Sequence, residues 1–148
     1  MKIKIKFKNE GQEMRYARYI LPVFFFFFQC GTASAGAWTD AASNIEKSLL
    51  SAVNIYKSGD SEKAMEEVSD AYFAIFEAED ANMEIVVRQR LSLKRATSLE
   101  RAFTDVRKMM HEKAPLKEVK EKTLDLITEI KKAANELDRK GVDTGNGR

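Results

Sequence analysis

Residues Val68 to Phe103, VSDAYFAIFEAEDANMEIVVRQRLSLKRATSLERAF, decide how the rest of the chain is read. Val68, Ala71, Tyr72, Ile75 and Phe76 recur every three or four residues, the period that puts side chains on one face of an α-helix. Ala96, Leu99, Ala102 and Phe103 repeat that spacing beyond a weaker interval, Asp80 to Leu91. This pattern predicts two amphipathic helices joined by an irregular link. Large aromatic side chains (Tyr72, Phe73, Phe76, Phe103) and carboxylates (Glu77, Glu84, Glu100) stand at fixed offsets along the stretch. Within the link, Asp80 or Asn82 is placed to cap a short helix containing Met83, Ile85, Val86 and Val87.

Upstream, about Thr39 to Lys57, a further helix sets Ala42, Ile45, Leu49, Ala52, Val53 and Tyr56 on one face. Ser58-Gly59-Asp60 breaks it: Gly59 supplies a left-handed stop, and Asp60 or Ser61 caps the next start. The second helix then covers about Glu62 to Glu79 and buries Ala64, Met65, Val68, Ala71, Tyr72, Ile75 and Phe76. Downstream, Ser92 caps a helix over about Leu93 to Glu112 whose stripe continues through Val106 and Met110. Pro115 ends it and opens a fourth, because proline's fixed φ suits a first helical turn. Leu116, Val119, Leu126, Ile127, Ile130, Ala134 and Leu137 form that stripe, and Gly141 is its stop. Four such helices can cover their apolar stripes only with one another. The expected fold is all-α: an antiparallel four-helix bundle over residues 38–141, followed by a disordered tail from Val142 to Arg148.

The first 37 residues read as a cleavable export signal. Arg15 and Arg18 supply positive charge, and Tyr19 to Phe28 is an apolar run with five consecutive phenylalanines, too short to span a membrane. Thr32-Ala33-Ser34-Ala35-Gly36-Ala37 offers cleavage after Ala35 or, preferred here, after Ala37. Met14 would open a more ordinary signal than Met1 does. Cys30, the only cysteine, falls inside the signal and leaves a mature chain unable to form a disulfide. Export places the mature protein in the periplasm, with no transmembrane segment left.

Removing Met1 to Ala37 takes away six Lys/Arg and two Asp/Glu, so the balance falls from 25 and 23 to 19 and 21. A nearly balanced domain gives no reason to expect nucleic acid, whose binding needs clustered positive charge. The remaining 111 residues suffice for one domain with one core.

Val68-Ser69-Asp70-Ala71-Tyr72-Phe73, Phe76-Glu77, Met83-Glu84 and Leu99-Glu100-Arg101-Ala102-Phe103 resemble, in order and spacing, the extracytoplasmic N-terminal domain of bacterial high-affinity iron permeases of the Ftr type. In that family iron crosses through membrane helices carrying Glu-x-x-Glu motifs, and the helical extension lies outside the membrane. The resemblance therefore implies a part in iron uptake, by binding iron or by docking on a membrane iron permease. It does not imply transport by this polypeptide alone. It also makes Glu77, Glu84 and Glu100 metal candidates, since each matches a recurring carboxylate of the resembled domain.

The residues themselves leave other readings open. Glu66, Asp70 and Glu77, at offsets of four and seven, form a carboxylate line suited to hard cations such as iron, calcium or manganese, or equally a solvated polar face. Glu77, Glu84 and Glu100 can instead pair with Arg88, Arg90, Arg95 or Arg101 and lock the link between helices. A di-iron bundle needs two Glu-x-x-His pairs; the single histidine, His111, has Lys108 three residues before it. Covalent haem is excluded without Cys-x-x-Cys-His, while Met109, Met110 and His111 leave a non-covalent haem carrier as a remote alternative. Met65, Met83 and Met110 read as core filler. With no phosphate loop and no nucleophile elbow, enzymatic activity is not expected. The leading expectation is a periplasmic accessory domain for iron uptake; the alternative is a metal-free helical interaction module.

Overall fold

The structure is a computed structural model and describes residues 36–78 and 82–144. The leader reading for residues 1–35, Cys30 included, lies outside the described residues, as does the tail from Gly145 to Arg148. Among the described residues the only regular structure is helical, with five α-helices: α1 (Ala37–Lys57), α2 (Ser61–Asp70), α3 (Met83–Val86), α4 (Leu93–His111) and α5 (Leu116–Arg139). None of these helices is long and apolar enough to cross a membrane.

Turn chemistry sets most of the boundaries. Gly59, at φ +97°, takes the left-handed conformation that ends α1, and Asp60 caps α2 by accepting from the Lys63 N–H at 3.0 Å. Ser92 caps α4 in the same way through the Arg95 N–H, 3.1 Å. Pro115 sits one residue earlier than expected, at the cap position of α5 rather than inside its first turn. Gly141, at φ +64°, stops α5.

α1 packs on α2 and α5, and α4 packs on the same two helices. Cross-links show the directions. Tyr56, at the end of α1, donates its hydroxyl to the Ala114 carbonyl just before α5, while Trp38 at the start of α1 meets Asp138 at the end of α5. Along α4 and α5, Arg95 pairs with Glu136 at 2.6 Å and Asp105 with Lys122 at 3.0 Å, so that pair also runs antiparallel. The core between the helices is continuous, with Trp38, Phe76, Phe103, Ile45, Leu49, Met83, Met110 and Leu137 at its centre.

Several expectations are corrected. The second helix is not one α-helix to Glu79: after Asp70 the backbone widens into a π-helical stretch, Ala71–Phe76, closed by the Glu77 N–H bonding the Tyr72 carbonyl at 2.8 Å. The link is not irregular throughout: α3 continues into a second π stretch, Val87–Leu91, closed by Ser92 N–H on the Val87 carbonyl at 3.0 Å. Val142, the first residue of the expected tail, packs on the core, and its carbonyl accepts the Trp38 indole N–H. Met65, Tyr72, Ile75 and Ala102 are half-buried rather than fully buried.

Candidate functional site

The two π stretches shape the region where the aromatic and carboxylate residues meet. In a π turn, residues five apart stack as residues four apart do in an α-helix. Tyr72 and Glu77 are such a pair, and the Tyr72 hydroxyl points at Glu77 Oε1 across 3.4 Å, a long and weak hydrogen bond. Behind the phenol, Tyr72 packs edge-on against Phe103 (centroids 5.2 Å, 69°) and tilted against Phe76 (5.8 Å), and Phe76 and Phe103 touch at 5.4 Å. These distances are those of favourable aromatic pairs, so the three rings form a wall between α4 and the π stretch that follows α2. Phe73 is not part of this wall: it stands edge-on to Tyr72 and is 59% exposed.

Glu84 comes from α3. Asn82 holds that short helix in place, adopting a left-handed backbone (φ 35°) and accepting from the Ile85 N–H at 3.1 Å. Glu84 is only 6% exposed, the one buried carboxylate among the described residues, and buried charge needs a partner. Arg88, one turn on, supplies it. Arg88 Nε donates to Glu84 Oε1 at 2.8 Å, and its Nη2 contacts the same oxygen and reaches Glu100 Oε1 on α4 at 2.7 Å. One guanidinium thus ties the carboxylates of two helices together.

The electrostatics follow from this crowding. The Tyr72 hydroxyl is pushed up to about 12, first by burial and then by the negative charges of Glu77, Glu100 and Glu84. All three predicted glutamates therefore act on one phenol. Below its ordinary value of 10 the phenol is a neutral donor; stability is lost as the pH rises from there through about 12, because only the unfolded chain ionises readily in that window. Glu100 is raised by burial and by the neighbouring Glu84 carboxylate, with Arg88 pulling the other way. Arg88 is raised by its hydrogen bond to Glu84 and by the charges of Glu84 and Glu100.

Arg88 brings Glu84 and Glu100 together and Glu77 bonds weakly to Tyr72, while Glu66 and Asp70 lie exposed on α2. Among the described residues no group of three or more Asp, Glu, His or Cys is arranged to hold a metal ion; Arg88 lies between Glu84 and Glu100. Met110 is buried in the core and His111 is exposed at the end of α4. A cleft of about 180 Å³ between α4 and α5, lined by Arg95, Leu99, Lys122 and Leu126 among others, contains none of the predicted site residues. Of the four arginines that the sequence offers as partners, Arg88 is the one that joins Glu84 and Glu100. Its offset of four from Glu84 was the signal that could have singled it out.

No protein-family model matches the chain, and no curated protein or solved structure matches it. The likeness to Ftr-type permeases rests on the quoted residues alone.

Proposed function

We propose that this chain is an exported, periplasmic accessory domain for iron uptake, folded as an antiparallel four-helix bundle. In this reading it takes up iron at Glu84, Glu100 and Glu77 and works beside a membrane iron permease of the Ftr type. The observation that carries the proposal is convergence. Residues 31 positions apart in the quoted motif, Tyr72 and Phe103, pack ring against ring, and Arg88 joins Glu84 to Glu100 in the same stretch of sequence.

Hard oxygen donors of this kind suit ferrous or ferric iron as cargo. Arg88 serves as internal counter-ion to Glu84 and Glu100, so an arriving cation competes with the guanidinium for the same oxygens. The Arg88 side chain is 43% exposed and has room to swing towards solvent. Such a site releases its cargo readily, because Arg88 returns to neutralise the carboxylates, which fits a protein that hands iron on. Proton competition follows from the raised Glu100: iron binding strengthens as the pH rises through and above the ordinary glutamate range.

Phe73 favours a second reading. An aromatic ring 59% exposed beside the cluster suits a docking contact, and in a metal-free interaction module Arg88 would be a permanent structural tie. The triple substitution Glu77→Gln, Glu84→Gln, Glu100→Gln separates the two. With helicity retained by circular dichroism, ferrous-iron affinity is expected to fall at least about tenfold, the loss of roughly 1.4 kcal/mol of binding. Unchanged iron binding in the folded variant would remove these residues as ligands.

A further inference from the structure

We infer that the leader is removed at the Ala37–Trp38 bond and that Asp138 receives the α-ammonium group this cut creates. The inference rests on the export reading above and goes beyond it by assigning the cut an acceptor in the folded domain. α1 has no cap of its own, since Gly36 at the cap position carries no side chain. Asp138, a hundred residues on, does the capping instead. Its Oδ1 accepts from the Trp38 backbone N–H at 3.2 Å, and its Oδ2 accepts from the Thr39 N–H at 2.9 Å and the Thr39 hydroxyl at 2.5 Å. Trp38 is fully buried, with its indole N–H on the Val142 carbonyl. The ring anchors the residue, and its backbone nitrogen faces a carboxylate.

A signal peptidase hydrolysing the Ala37–Trp38 bond adds one water. The acyl carbon leaves as the Ala37 carboxylate, and the Trp38 nitrogen keeps its electron pair and is protonated to an ammonium. The atom that already donates to Asp138 thereby gains a positive charge. A cation at a helix N-terminus is ordinarily unfavourable against the helix dipole. Here Asp138 neutralises it through a charge-assisted hydrogen bond. Had the cut fallen after Ala35, Gly36 would stay in the mature protein, and any side chain placed there would collide with this carboxylate: a Cβ added to Gly36 would lie 2.0 Å from Asp138 Cγ.

Linkage gives the sign. An α-amine raised by Asp138 contributes stability that is fully present below its unfolded value and lost as the pH rises through the folded one. The full-length chain is produced in a bacterium with the leader intact, labelled with ¹⁵N/¹³C-tryptophan, and purified after processing. Trp38 is the sole tryptophan, so one label reports the terminus. N-terminal sequencing is expected to begin at Trp38, and NMR titration should place its α-amine at least about one unit above the usual 7.7–8.0, returning to that range in Asp138→Asn. Gly36→Ala in the precursor should yield a mature protein of identical melting temperature, since the residue departs with the leader. A retained leader would overturn the export reading and this inference with it. A mature chain beginning at Gly36, or a wild-type Trp38 amine titrating at its ordinary value, would overturn the inference alone.

Discussion

Phe103→Ala is expected to lower the free energy of unfolding by about 3–5 kcal/mol, the range for truncating a buried phenylalanine. Phe103 is 2% exposed and meets both Tyr72 and Phe76, so its loss removes transfer energy and opens a void between α2 and α4 that the stiff neighbouring rings cannot fill. For a domain of this size the melting temperature should drop by roughly 10–25 °C. Phe103→Leu keeps most of the volume and should cost under about 1.5 kcal/mol. The alanine variant also wets the back of Tyr72, so the phenol should titrate closer to 10 than to about 12. Urea unfolding and an ultraviolet titration of tyrosine check both points. A loss below about 1 kcal/mol would mean that the aromatic wall does not hold α2 to α4.

Arg88→Gln is expected to produce the largest change in metal behaviour. The substitution leaves the buried Glu84 beside Glu100 without a counter-charge, and two adjacent carboxylates then share a proton. The native state holds that proton to a higher pH than the unfolded chain does. Stability should therefore fall as the pH rises above the ordinary glutamate value, and the fall should be complete once the pH exceeds the raised value of Glu100. Ferrous iron should restore what the higher pH removes, because it no longer competes with the guanidinium. Its affinity should rise about tenfold or more over the wild type. Melting curves from pH 4 to pH 8, with and without iron, test this. A variant whose stability ignores pH would show that Arg88 is not the counter-ion of the pair.

The long helices were legible because their punctuation is local. Gly59 with Asp60, Ser92 and Gly141 each perform the backbone role that their residue type suggests, and the stripes of α1, α4 and α5 follow a plain helical period. The π stretches were not legible. Ala71 to Phe76 reads as a continuation of the α-helical stripe, and only the i to i+5 bond from Glu77 to Tyr72 reveals the extra residue in the turn. That extra residue is what stacks Glu77 on Tyr72; at an α-helical offset of five they would point apart. Pairing of Glu84 with Glu100 through Arg88 was hidden for a different reason: it depends on how the π stretch Val87–Leu91, which continues α3, packs on α4. The Asp138 contact with Trp38 spans a hundred residues and has no local signal at all.

The most direct test of the account is calorimetric titration of the processed protein with ferrous iron under anaerobic conditions, with magnesium as control. Saturable, iron-selective binding is expected, strengthening from pH 5 to pH 7.5 and lost in the Glu77, Glu84, Glu100 glutamine variant. No heat of binding with iron, or equal binding of iron and magnesium, would contradict an iron-handling role and leave the aromatic and carboxylate cluster as the structural tie of a protein-docking module.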